Sequence, residues 1–182
     1  MSEGTPERLR FSVDPAFSAV LIEARSNVGA VKFGSTQISG VIEAVRTDGH
    51  VDTDNRPCAK LTVPLASLAS GNALYDAELQ QRLAVQRYPQ VGLELLEAHL
   101  IGDCNYRVSG NVTIHGVTAT LQGVVNLTFP AADEVLIVGE QTIDIRDFDI
   151  DLPSVLMLRI YPDVKVSLHL VARTSPSTES GS

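Results

Sequence analysis

Residues 117–129 read Val-Thr-Ala-Thr-Leu-Gln-Gly-Val-Val-Asn-Leu-Thr-Phe, with an apolar residue or glycine at every odd position and mostly polar residues at the even ones. A strand sends successive side chains to opposite faces, so this pattern demands one oily face and one wet face. Residues 160–172 repeat it: Ile160, Pro162, Val164, Val166, Leu168, Leu170 and Ala172 point one way, and Tyr161, Asp163, Lys165, Ser167 and His169 the other. Segments this long close into a barrel or stack as a sandwich.

The alternation predicts strands near 9–14, 17–25, 36–46, 58–65, 91–101, 105–115, 117–129, 135–147 and 160–173. Turn chemistry separates several of them, at Thr47-Asp48-Gly49, Gly102-Asp103 and His115-Gly116. One stretch departs from period two. Between Asp76 and Gln86, Leu79 and Leu83 lie four apart with Tyr75 one turn earlier, which predicts a helix capped by Asp76 and stopped by Tyr88-Pro89. The apolar run Leu152–Leu158 has no clear period and reads as a helical turn or a loop over the barrel. Polar ends at 1–8 and 174–182 read as tails around one domain at 9–173.

At 182 residues the chain is long enough for one sizeable core. Its 22 acidic and 14 basic residues give a net charge of −8. That balance argues against nucleic acid and against an anionic membrane surface. No run reaches the length of a membrane span, so stable insertion as a helix is not expected. The polar opening Met1–Arg8 carries no export signal, which leads to a cytoplasmic expectation. Cys58 and Cys104 form no paired motif and read as reduced thiols. The sequons Asn111-Val112-Thr113 and Asn126-Leu127-Thr128 are then chance matches.

The charged cluster Asp144–Asp151 invites a metal reading, with Asp147, Asp149 and Asp151 on one strand face. Alternate strand residues are roughly 6.5–7 Å apart, however, and Ca²⁺ takes ligands at about 2.3–2.6 Å. A calcium loop starting at Asp147 would need Gly and Glu where Leu152 and Leu158 stand. A strand end or barrel rim is the better reading, with a bulge or strand end near Arg146, where the parity changes. His50, His99, His115 and His169 lack the short spacing of a zinc site. No Gly-x-Ser-x-Gly, phosphate loop or dinucleotide fingerprint is present. No metal, cofactor or catalytic residue is expected.

Several short segments, in order, resemble the YceI-like family of polyisoprenoid-binding proteins. They are Phe11-Ser12-Val13-Asp14-Pro15-Ala16-Phe17-Ser18, Ile38-Ser39-Gly40-Val41-Ile42 and Ser70-Gly71-Asn72-Ala73-Leu74-Tyr75-Asp76. Tyr88-Pro89-Gln90-Val91-Gly92-Leu93, Val108–Thr118, Asp147-Phe148-Asp149-Ile150 and Asp163–Leu168 follow. Phe17 stands where the family often has His. The resemblance implies an all-β fold, an extended antiparallel lipocalin-like barrel with one inserted helix. It further implies that a long amphiphilic chain, such as an isoprenoid quinone or prenyl lipid, sits in an elongated tunnel.

The inward parity is taken by Val20, Ile22, Ile42, Leu61, Val63, Val91, Leu93, Val108, Val112, Leu121, Val125, Leu127, Val166 and Leu168. These side chains either pack one another or, as the resemblance implies, line the tunnel. Gly40, Gly110, Gly123 and Gly139 share that face and either leave room or let strands bend. Aromatics are only 5% with no Trp, so such a lining is aliphatic and suits a flexible tail. The expected role is a carrier for an apolar small molecule, with a homodimer left open. Two rivals remain: an enzyme acting on a small lipid-like substrate, and a structural or partner-binding domain with a filled core. The helix is expected at one mouth of the tunnel.

Overall fold

The computed structural model describes residues 6–150 and 159–174. Its strands are β1 (Glu7–Val13), β2 (Ala19–Ser26), β3 (Gly29–Ser35), β4 (Ser39–Thr47), β5 (His50–Val51), β6 (Cys58–Pro64), β7 (Gln90–Gly102), β8 (Asn105–Ile114), β9 (Val117–Ala131), β10 (Glu134–Asp144) and β11 (Ile160–Thr174). One helix, α1 (Ala73–Arg82), interrupts them. The strands β1, β4, β6, β7, β8, β9, β10 and β11 form a closed antiparallel ring, because β11 returns to β1.

The long β11 makes two partnerships on the same edge. Its last residues pair with β1, from Val13 opposite Ala172 to Phe11 opposite Thr174. Its earlier part pairs with β2, from Ala19 opposite His169 to Ala24 opposite Val164. The β2–β3 hairpin therefore replaces β1 as the wall beside the first half of β11. The link between β1 and β2 is locked to the sheet by Ser18. Its hydroxyl donates to the carbonyls of Asp14 and Val171 at 2.7 and 3.2 Å and accepts from Val171 N–H at 3.0 Å. Asp14 also pairs with Arg173, whose guanidinium lies 4.9 Å over the Phe17 ring.

Local chemistry explains the turns. Asp48 and Gly49 have φ of 51° and 79°, and His115 and Gly116 have 57° and 73°. Two successive positive φ values give the tight hairpin turns whose twist matches paired strands. The helix starts earlier than the sequence reading put it. Asn72, not Asp76, is the cap: its side chain accepts from the N–H of Leu74 at 3.0 Å and of Tyr75 at 3.4 Å. Asp76 instead accepts from Ser70 N–H at 2.8 Å and Ser70 O–H at 2.6 Å, tying the first turn to the preceding loop. The helix ends at Arg82, ahead of Tyr88-Pro89, where Ala84 turns to a φ of 48°.

Two further expectations are corrected. Nothing in the sequence reading marked β3, which begins and nearly ends on glycine. The expected strand to 147 stops at Asp144, and Ile145–Phe148 forms a 3-10 turn. Asp144 caps it by accepting from Arg146 N–H at 2.9 Å. Asp147 and Asp149 therefore share no strand face. Asp151 and the Leu152–Leu158 run lie outside the described residues. At the ends, β1 takes in Glu7 and Arg8, and β11 takes in Thr174.

Part of the packed core gathers at the end where β1 closes the ring. Phe11, Ile42, Val135, Leu170 and Ala172 are buried there, and the Phe11 and Phe129 rings lie 6.1 Å apart. A second cluster adjoins it, made of Ala44, Val51 and Tyr106 with Leu127 and Phe129 packed on it. The Tyr106 hydroxyl accepts from Val51 N–H at 3.0 Å in the interior. Burial raises the Tyr106 phenol above its ordinary pKa, and the Val51 bond partly offsets that.

Two substitutions test this plug. Tyr106→Phe keeps the ring but strands the buried Val51 N–H, and chemical denaturation is expected to show a loss of about 1–3 kcal/mol. Gly40 has a φ of 151°, and a Cβ there would collide with the Lys60 carbonyl and stand 2.9 Å from Leu61 Cα. Gly40→Ala is expected to cost at least about 1–3 kcal/mol from the backbone alone, read as a lowered thermal midpoint.

A blind apolar cavity as the candidate functional site

Above the plug the barrel interior is not filled. A cavity of about 430 Å³ occupies it, within the range of small-molecule pockets. Its wall is almost wholly aliphatic. The strand pattern shows why the space persists: along β9, Leu121, Gly123 and Val125 face inward yet are only half-buried, while Thr120, Gln122 and Val124 are exposed. Inward side chains that packed one another would lose nearly all their accessible surface. These keep it because the opposite walls stand too far apart to meet.

Of the inward-parity residues, the cavity wall includes Val20, Ile22, Leu61, Val63, Val91, Leu93, Val108, Val112, Leu121, Val125, Val166 and Leu168. Ile42 and Leu127 do not reach it. Ile42 is buried beside Phe11, and Leu127 packs on the Tyr106 cluster, so both belong to the plug. Parity places a residue on the inner face but says nothing about its depth along the barrel axis. The cavity is consequently blind at the β1 end, where a through-tunnel would have needed those two positions open.

Other wall residues had no strand pattern to reveal them. Val31 and Phe33 come from β3, and Leu65 and Leu68 from the 3-10 turn before α1. The helix contributes Tyr75, Leu79 and Leu83, with Glu78 and Arg82 beside them. Those two charges satisfy each other, Arg82 Nε donating to Glu78 Oε1 at 2.6 Å. The region leaving α1 is well anchored. Leu65 N–H donates to the Pro89 carbonyl at 2.9 Å, and Leu83 is buried. Tyr88 meets the His115 ring edge-on at 5.3 Å, against a glycine, Gly116, whose Cβ would have struck the Tyr88 ring.

The four glycines divide by role. Gly40 is not on the wall of this cavity and serves a close approach of β4 to β6. Gly110, Gly123 and Gly139 sit on the wall, on three neighbouring strands. A Cβ on Gly110 would meet the Glu94 carbonyl at 2.9 Å, and one on Gly139 would meet Val125 Cγ1 at 2.8 Å. A Cβ on Gly123 would meet only the end of the Gln141 side chain, at 3.0 Å. Gln141, on the inward parity of β10 opposite Val166 yet exposed, brings an amide to a mostly oily wall.

The remaining polar candidates stay apart. Among the described residues no three His, Cys, Asp or Glu side chains converge as a metal site requires. Arg146 donates to Asp144 at 2.6 Å and holds that exposed carboxyl below the usual carboxylate range. His169 and His115 spend Nδ1 on the carbonyls of Phe17 and Phe148, at 3.2 and 3.3 Å. Cys58 and Cys104 are free thiols. No helix among the described residues is long and apolar enough to cross a membrane.

Solved structures share this architecture. BcnA of Burkholderia cenocepacia superposes with a TM-score of 0.74 at 21% identity, over 87% of this chain and 98% of its own. A polyisoprenoid binding domain from Saccharophagus degradans, implicated in plant cell wall breakdown, gives 0.74 at 15% identity, over 92% of this chain and 99% of its own. The YCEI protein of Campylobacter jejuni gives 0.64 at 17% identity, over 81% and 86%. At such identities the likeness is one of fold. No curated protein matches the chain. The YceI-like domain matches continuously over residues 11–172, from the aromatic that closes the barrel to the last buried residue of β11, and the chain therefore belongs to the YceI-like family.

Proposed function

We propose that this protein binds and shields one long apolar molecule, an isoprenoid or acyl chain with a small polar end, and performs no chemistry on it. The observation that carries the reading is the ring of half-buried aliphatic side chains around a blind cavity of about 430 Å³. Burial of an apolar chain there contributes about 25 cal/mol per Å² of surface removed from water, less the cost of ordering the chain. An aliphatic wall without directional partners favours a flexible chain over a flat polar ring. The polyisoprenoid binding domain of Saccharophagus degradans, of the same fold, supports the ligand class.

The rival readings meet specific difficulties. An enzyme would place an acid and a base where a bound molecule could reach both. Of the ionisable residues on the wall, Glu78 and Arg82 are spent on their own contact, and Glu140 pairs with Lys165 at 3.3 Å. A filled structural core would leave no half-buried inward face. The residues we assign to ligand contact are the cavity-wall members of the inward set, from Val20 to Leu168. Ile42 and Leu127 act only through the plug.

Native mass spectrometry of the purified protein, followed by organic extraction, is expected to release a chain of isoprenoid or acyl type. Recovery of a hydrophilic small molecule, or failure to bind any long-chain alcohol or quinone added to delipidated protein, removes the reading. Leu93→Arg is expected to abolish uptake and lower the melting temperature, because it places an unpaired charge on the oily wall at a cost of several kcal/mol. Thr120→Arg, on the exposed face of the same barrel, is expected to bind normally and melt within a few degrees of the unaltered protein. Equal behaviour of the two variants would contradict the inward assignment of Leu93.

A further inference from the structure

The wall of the barrel is not continuous. Strands β9 and β10 pair from Ala131 opposite Glu134 to Val125 opposite Gly139, and among the described residues their register stops there. Beyond that point β9 continues to pair with β8 as far as Val117, and β10 with β11 as far as Asp144. Residues 117–124 of β9 and 140–144 of β10 thus face each other across a split. The 3-10 turn Ile145–Phe148 packs against β9 above it, and His115 meets the Phe148 carbonyl there. The split is therefore a window bounded below by paired strands and above by that turn.

Three independent observations connect this window to the cavity. First, Gln122, Val124 and Glu140 border the cavity although their parity turns them outward. Second, apolar side chains stand exposed outside at its foot: Val124 is 46% and Val138 42% accessible. Third, the Gln141 side chain reaches across, its Oε1 lying 3.0 Å from where a Gly123 Cβ would be. Gln141 Nε2 makes only a 3.4 Å contact with the neighbouring Thr142 carbonyl, close to the limit of a hydrogen bond. It is held by little and can swing.

At the other end, among the described residues, buried Leu65, Leu68, Leu83 and Phe148 belong to the core cluster, and the segment after α1 is pinned to the β8–β9 turn through Tyr88. At the window, the side chain reaching across is that of Gln141.

We propose that the β9–β10 split is the passage through which the apolar ligand enters and leaves, and that Gln141, seated against Gly123, is the bar across it. The proposal rests on the binding reading above. Its kinetic consequence is specific. A bar that gates passage without holding the ligand changes association and dissociation by the same factor and leaves Kd in place. A residue that holds the ligand changes mainly dissociation.

Retinol, an isoprenoid alcohol whose fluorescence rises in apolar surroundings, is the probe, with both rates measured by stopped flow. Gln141→Ala is expected to raise both rates together by about threefold or more. Gly123→Phe puts a ring at the rim of the window, at a position whose φ lies outside the left-handed region, and is expected to lower the association rate by about tenfold or more. Association alone is the diagnostic rate for this variant, because Gly123 is on the cavity wall. Rates unchanged in Gln141→Ala, or a change confined to dissociation, overturn the passage while leaving binding intact. Absence of retinol uptake by the unaltered, delipidated protein removes the binding reading and the passage with it. Should Gly123→Phe fail to fold, Gln141→Ala decides alone.

Discussion

The short seam between β1 and β11 is the contact on which the rest of the molecule depends. It joins only Phe11–Val13 to Ala172–Thr174, yet it turns an open sheet into a ring. A sheet with two free edges would leave backbone N–H and C=O groups unpaired and would flatten or recruit another chain. Closing the ring at this level draws β1 and β4 over the end of the barrel, where Phe11, Ile42 and Ala172 fill the space with Phe129 and Leu170. The plug is a consequence of closure, and the blind cavity is a consequence of the plug. Ser18 and the Asp14–Arg173 pair reinforce the seam from outside, fixing where β1 gives way to β2.

The same division explains how an oily cavity survives in a stable fold. Close packing is found at both ends, around Phe11 and Tyr106 at one and around Leu65, Leu68, Leu83 and Phe148 at the other, where it holds the barrel together. Between them the wall is held by backbone hydrogen bonds from strand to strand, except across the β9–β10 split, so it does not require its inner side chains to touch. Gain from apolar burial is forgone there, and a bound chain would supply it. Stability and binding are thus served by different levels of one barrel.

Much of this was legible in the sequence, because period-two alternation survives wherever one face is oily. The inward positions of β9 and β11 followed from parity alone, and the turns at Asp48-Gly49 and His115-Gly116 from residues that tolerate positive φ. Parity is silent about height along the axis, which is why Ile42 and Leu127 looked like lining and are plug. It is silent again where glycine thins the pattern, which hid β3 and with it Val31 and Phe33. The helix start was misplaced for a related reason. Asp76 and Asn72 both carry a capping oxygen, and only the fold shows that Ser70 occupies the former. Arg146 breaks the parity, but the ending at Asp144 comes from its carboxylate accepting the N–H of Arg146 two residues on.

The wall glycines show where sequence and structure divide the work. A glycine on an inner face means either a bend or a space, and composition cannot choose. At Gly40 the backbone of β6 is so near that no side chain fits, so the residue serves closure. At Gly110 a carbonyl of β7 occupies the same role more mildly. Gly123 is different: its missing Cβ faces no backbone, only the amide end of the exposed Gln141 side chain. Strand pairing ends one step below it, at Val125 and Gly139. A larger residue at 123 would have met Gln141 head-on and forced the split to widen or seal. Glycine there lets a polar side chain lie across an opening in an apolar wall without being clamped. Of the four, it is the one whose role is set by access to the interior.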